Sequence, residues 1–170
     1  MLLWFLGTAI ASVWFVFRDP RFDYRLLCVG VLLPDLIDVW FGGARAFHTL
    51  IVSIATLVVV VLMSAGRRRW RKRALAIPIG MLLHLVFDGA FTNSKLFWWP
   101  FSGWSFEDEP LPSVSRGWFN VILELIGFGL LVWVWRNFGL RSPARRQRFW
   151  QTGELHPVVP AVRPPRGSTM

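Results

Sequence analysis

The sequence predicts an all-α integral membrane protein: a bundle of four to five transmembrane helices with one kinked or re-entrant short segment. Three observations predict it. Of 170 residues, 54% are hydrophobic and only 17% charged, where a globular domain carries about a quarter charged. Five apolar stretches (2–17, 26–40, 47–63, 74–91 and 118–135) follow one another through the first 135 residues. The Lys and Arg residues gather in alternate connections between those stretches instead of spreading evenly. The length allows one compact domain, which we divide into a transmembrane part, 1–140, and a basic, Pro-rich cytoplasmic tail, 141–170. Cys28 stands alone, which excludes an intrachain disulfide and a cysteine-cluster metal site.

Each stretch is read against the span length. A helix needs about 20 residues to cross the hydrocarbon core, with about 17 as the lower limit. Stretches three, four and five meet that limit. The first is slightly short but can borrow Met1 and Arg18. No basic region precedes it, as a cleaved signal peptide would require, so a retained span is the favoured reading. The second is interrupted by Pro34, Asp35 and Asp38 and reads as a kinked span or a segment that dips into the bilayer. Pro34 suits the first turn of a helix, where its missing N–H costs nothing.

The six basic residues among 67–73 fill one short connection and place it in the cytoplasm. Counting outward from there, the N-terminus lies outside and the C-terminus inside. Of the nineteen Lys and Arg, all but Arg45, Lys95 and Arg116 then face the cytoplasm. An inside bias, with attraction to anionic lipid at the inner face, explains a net charge of +9 without nucleic acid. Trp4, Trp40, Trp98, Trp99 and Trp118 fall near the outer interface, and Trp14, Trp70, Trp133 and Trp135 near the inner one. Residues 145–150 have the composition of a short helix on the inner leaflet, and the chain past Pro157 that of a disordered tail.

Charged groups inside spans are costly and mark functional sites or buried pairs. Here they are Asp35, Asp38, Asp88 and Glu124, joined by His48 and His84. His84 and Asp88 are four apart on one predicted helix, and Asp35 and Asp38 three apart, so each pair shares a face. On the topology above all six fall in the outer leaflet. Imidazoles and carboxylates converging in one layer make a ligand set for a divalent ion, with zinc or manganese foremost and iron also suited. His48, His84, Asp88, Asp35 and Asp38 are the candidate ligands. Asp35, Asp38 and Glu124 are the candidate groups to activate or orient water. The three outer cations, Arg45, Lys95 and Arg116, are candidates to hold a phosphate. Against this stand plain structural roles: helix capping for Asp35 and Asp38, and an ion pair with Arg116 or Lys95 for Glu124.

Read in order, Leu33-Pro34-Asp35-Leu36-Ile37-Asp38, Phe47-His48-Thr49-Leu50, Gly80 through His84 to Asp88, and Trp98-Trp99-Pro100-Phe101 resemble the YdjM-like family of predicted membrane-bound metal-dependent hydrolases. The likeness covers about residues 26–101. It implies that His48, His84, Asp88, Asp35 and Asp38 are metal ligands or their direct supports. The family's His-Arg pair before the T-H-S segment is reduced here to Arg45, and Phe47 and Thr49 replace Thr and Ser. One metal instead of two, or lost catalysis, would follow. Its distant likeness to zinc-dependent phospholipases C makes a phosphoester the natural substrate.

The function expected is therefore a membrane-embedded metal-dependent hydrolase. It would act at the outer face on a phosphoester or pyrophosphate bond of a lipid or lipid-linked substrate. The long loop 92–117 would serve as a lid or as an interfacial segment anchored by Trp98, Trp99 and Trp104. Two rivals remain. A divalent-cation or proton transporter would need polar residues through the full membrane depth. A non-catalytic scaffold would keep a structural metal and use its tail for a cytoplasmic partner. Assembly with further copies of the chain is left open.

Overall fold

The computed structural model describes residues 1–41, 45–103 and 116–158, and all its regular elements among these residues are helical. Helix α1 spans Leu2–Phe17 and ends where Arg18 turns left-handed (φ 47°). Helix α2, Tyr24–Asp38, starts on Asp23, whose carboxylate accepts from the Arg25 and Leu26 amides. Helix α3, Leu50–Met63, starts on the Thr49 hydroxyl. Two helices follow almost without a break, α4 (Arg68–Ala74) and α5 (Ala76–Phe87). After the short α6, Ser94–Phe97, come α7, Phe119–Asn137, and α8, Pro143–Thr152.

The helix lengths limit which elements can cross a bilayer. Helices α1, α2, α3 and α5 hold 16, 15, 14 and 12 residues, and α7 holds 19. Among the described residues only α7 is both long and apolar enough to cross a bilayer. The fold is thus all-α with one candidate membrane-spanning helix. One expectation is corrected. Pro34 is not in a first turn but lies well inside α2, which runs on to Asp38. Its missing N–H leaves the Gly30 carbonyl without the usual helical donor. The short basic connection between the third and fourth apolar stretches itself holds a helix, α4.

Two glycine contacts fix the bundle. Helix α1 crosses α7 where Gly7 meets Gly127: a Cβ on Gly7 would lie 2.6 Å from the Gly127 carbonyl oxygen. Helix α2 crosses α5 where Gly30 meets Gly80: a Cβ on Gly30 would lie 2.2 Å from the Ile77 carbonyl oxygen. Backbones this close are possible only without side chains between them. Around α1 the core collects Phe5, Ala9 and Val13 with Tyr24, Leu27 and Val31 of α2, Ala76 of α5, and Val134 and Phe138 near the end of α7.

The alternating helices give the bundle two unlike ends. One gathers the start of α1, the ends of α2 and α5, and the starts of α3 and α7. There Trp4 Nε1 donates to the Phe87 carbonyl, and Glu124 accepts from the Leu3 amide. The other end carries most of the arginines, those of α4 foremost. There Lys72 pairs with Asp19 at 2.7 Å, and that ammonium holds the Asp19 carboxyl below its ordinary range. Residues 143–158 fold onto this end. Leu155 is buried in the core, its amide donates to the Pro20 carbonyl, and the Tyr24 amide donates to Gly153. The tail is therefore docked through residue 158; the remaining residues, 159–170, lie outside the described ones, as does Trp104.

Candidate metal centre

The site forms where three elements meet at the tryptophan-rich end. Asp35 and Asp38 occupy the last turn of α2. His48 closes a single 3-10 turn, Ala46–His48, immediately before α3. His84 lies in the last turn of α5, and Asp88 caps that helix. The Gly30–Gly80 crossing sets the spacing, because it brings the α2 backbone within reach of a side chain on α5.

That reach fixes His84. Its Nδ1 lies 2.7 Å from the Val31 carbonyl oxygen. A carbonyl can only accept, so Nδ1 carries the proton and Nε2 of the neutral ring keeps its lone pair. Phe5 of α1 packs on the ring with centroids 4.3 Å apart. His48 is fixed in the same way. Its Nδ1 lies 2.7 Å from Asp38 Oδ2, which also accepts from the Arg45 amide at 2.8 Å, while Asp38 Oδ1 accepts from the Phe47 amide at 3.4 Å. The Asp38 carboxylate thereby ties the connection before α3 back onto the end of α2.

Both imidazoles then aim Nε2 at one point. The two Nε2 atoms are 3.3 Å apart, and Asp35 Oδ1 lies 3.2 Å from His48 Nε2 and 3.5 Å from His84 Nε2. Three electron-pair donors forming so tight a triangle repel one another unless a cation or proton sits among them. Among the described residues, Asp35, His48 and His84 form a group that could hold a metal ion. Asp38, hydrogen-bonded to the far nitrogen of His48, is placed as the carboxylate that orients a metal-binding histidine. His48, His84 and Asp38 are almost wholly buried, while the Asp35 side chain stays 26% exposed and gives the triangle one open side.

The remaining expected residues separate. Asp88 is buried one turn beyond His84, but it is not part of the triangle, and neither carboxylate oxygen has a hydrogen-bond partner among the described residues. Among the described residues its partner is Arg116, which stands 3.6 Å from Oδ1 and donates to the Asp88 carbonyl. Glu124 does not join the cluster. It accepts from the Leu3 amide at 2.9 Å and faces the Met1 amine at 3.7 Å, so it holds the start of α1 against α7. Arg45 borders the site through its backbone amide, and Lys95 lies on α6, outside the triangle. Gly42, Gly43 and Ala44 and the acidic run 107–109 lie outside the described residues.

Two contributors were not anticipated: Gly30, which packs against the Gly80 of the His84 segment and brings α2 and α5 together, and the Val31 carbonyl, which selects the His84 tautomer. The two glycines were the available signal, since glycine inside an apolar helix costs about 1 kcal/mol and is kept where backbones touch. Nothing in a sequence marks a particular carbonyl. Comparison of the chain with protein-family models, curated proteins and solved structures finds no match.

Proposed function

We propose that this chain is a membrane-embedded, divalent-metal-dependent hydrolase acting at the end of the bundle opposite the basic helix α4. Its substrate on this reading is a phosphoester or pyrophosphate bond of a lipid or lipid-linked molecule. The single observation that carries the reading is the triangle of His48 Nε2, His84 Nε2 and Asp35 Oδ1, with edges of 3.2–3.5 Å. Zinc bonds of about 2.0–2.1 Å in a tetrahedron put neighbouring ligands roughly 3.3 Å apart, while octahedral magnesium puts them nearer about 2.9 Å. The separations therefore favour zinc or a similar ion held by Asp35, His48 and His84. Such an ion would supply Lewis-acid polarisation of a phosphoryl oxygen.

The chain's own groups complete the proposal. Asp38 and the Val31 carbonyl hold both imidazoles in the ligating tautomer. Arg116 sets a guanidinium fork, the shape that matches a phosphate, beside Asp88 at the same end. Bilayer placement is supported by the exposed apolar faces of α7 and α3. Val121, Leu125 and Phe128 are more than half exposed on α7, as are Leu62 and Met63 on α3, and contiguous surface of this kind is rarely left to water. Four to five crossings, with the N-terminus outside and the C-terminus cytoplasmic, fit the two unlike ends. The resemblance to YdjM-like hydrolases belongs to the same proposal. A transporter is disfavoured because, inward of the cluster, Phe5, Val31 and Met81 are buried with only the hydroxyls of Thr8 and Ser53 between them, and no carboxylate or imidazole among the described residues continues the cluster inward.

The test is elemental analysis of detergent-purified protein, followed by hydrolysis of lipid pyrophosphates with and without a chelator. About one divalent ion per wild-type chain is expected, with loss in His84→Ala and Asp35→Ala but not in Glu124→Gln. Absence of metal from the wild type, or full retention in both site variants, would remove the reading. Metal-bound protein without hydrolysis would favour the structural-metal scaffold.

A further inference from the structure

We infer that the opposite end of the bundle holds a site for the phosphate headgroup of an anionic phospholipid. It is a groove of about 1170 Å³ between α4 and the docked tail, lined by Arg21, Arg68, Arg69, Arg73 and Trp70 among others. This site is separate from the metal centre in place and chemistry, and it rests on the membrane placement proposed above.

Two of the cations on α4 anchor the helix. Arg71 donates to the Ser64 hydroxyl and carbonyl at 3.2 and 3.3 Å, and Lys72 is tied to Asp19. These two cations fix the helix and are spent within the fold. Arg21, Arg68, Arg69 and Arg73 are exposed, and none of their side chains has a hydrogen bond or carboxylate partner among the described residues. Glu154 reaches the groove but is already shared by His156 at 3.1 Å and Arg148 at 3.6 Å. Four like charges around one groove raise its potential and draw an anion into it.

The surroundings select the kind of anion. Helix α3 ends in Leu62 and Met63, each 68% exposed, a short turn before Arg68, and Trp70 is half exposed at the groove. An acyl chain can lie along that apolar face while guanidinium groups hold the phosphate and the indole sits at headgroup depth. Neither a free phosphate nor a nucleic acid would use the apolar part.

The probe is a mixture of equal phosphatidylglycerol and phosphatidylcholine added to detergent-solubilised full-length protein, with retained lipid counted by native mass spectrometry. Wild-type protein should keep phosphatidylglycerol in preference, and that preference should fall as KCl is raised. A basic residue at a membrane surface contributes roughly fivefold, so Arg68→Ala, Arg69→Ala and Arg73→Ala together should weaken retention on the order of a hundredfold. The corresponding triple Lys variant should stay within about tenfold of wild type. Metal content should be unchanged in both, which separates this inference from the metal centre. The inference is overturned if the triple Ala variant retains the lipid as wild type does. It is equally overturned if glycerol 3-phosphate displaces the lipid at equal concentration, or if a duplex RNA binds more tightly than the lipid. Should the triple Ala variant not fold, the wild-type salt series decides, since retention indifferent to KCl excludes the arginine groove.

Discussion

Gly30→Ala tests the link between helix packing and the metal centre. The new Cβ would lie 2.2 Å from the Ile77 carbonyl oxygen and 2.8 Å from its Cα. These are backbone atoms, so no rotamer change relieves the clash. Ordinary contact begins at 3.4 Å, and α2 and α5 must part by about 1 Å to reach it. The His84–Val31 hydrogen bond, 2.7 Å long, would then stretch to roughly 3.7 Å, beyond hydrogen-bonding distance. Asp35, one turn further along α2, would withdraw from His84 by a similar amount. Loss of an orienting partner of this kind costs 10–100-fold in metal affinity, and overpacking costs about 1–3 kcal/mol of stability. Affinity is measured by competition with a chromophoric chelator, and stability by thermal unfolding in the same detergent. Gly129→Ala is the control, because nothing lies within 4 Å of its Cβ position. It should be neutral or slightly stabilising. Wild-type affinity and midpoint in Gly30→Ala would refute the reasoning, as would an equal loss in Gly129→Ala.

Three further outcomes follow from single contacts. Asp38→Asn should keep all three ligands yet lower metal affinity 10–100-fold in the same competition assay, because His48 Nδ1 and the Arg45 amide lose a carboxylate. The Asp19–Lys72 pair should make stability pH-dependent. Lys72 depresses the folded Asp19 pKa, so the stabilisation is present above the unfolded value near about 4 and is lost as pH falls through the folded one. Both side chains are partly exposed, 29% and 50%, so the effect should be at most about 1 kcal/mol. The thermal midpoints of wild type and Asp19→Asn should converge in acid, and a gap that persists at pH 2.5 would contradict the assignment. Gly153→Ala should loosen the tail. Residue 153 has φ +78°, and its Cβ would meet Asp23 Oδ1 at 1.9 Å while Asp23 is held by the α2 amides and Arg25. A cost of about 1–3 kcal/mol and faster proteolysis within 143–158 are expected.

Much of the site was legible because its signals are local. His84 and Asp88 share a helix face by spacing alone, and a charged residue in an apolar run is conspicuous without any structure. The assignment of roles was not legible. Asp35 and Asp38 look equivalent in sequence, yet Asp35 joins the triangle and Asp38 backs His48, because the 3-10 turn Ala46–His48 returns against the very end of α2. Glu124 sits on α7, where its partners are the first amides of α1 and not the cluster. Asp88 shares the His84 face but stands at the helix cap, one turn beyond the triangle.

By itself the sequence determined that the chain is helical, that most of its cations collect at one end, and that two histidines and several acids collect at the other. Those properties follow from periodicity and charge placement along a single strand of residues. The tertiary structure alone decided which carboxylate faces the imidazoles and which nitrogen of each ring is free. It also decided that the tail docks through Leu155. Such choices depend on how closely backbones approach, and here two glycines facing each other across α2 and α5 set that distance.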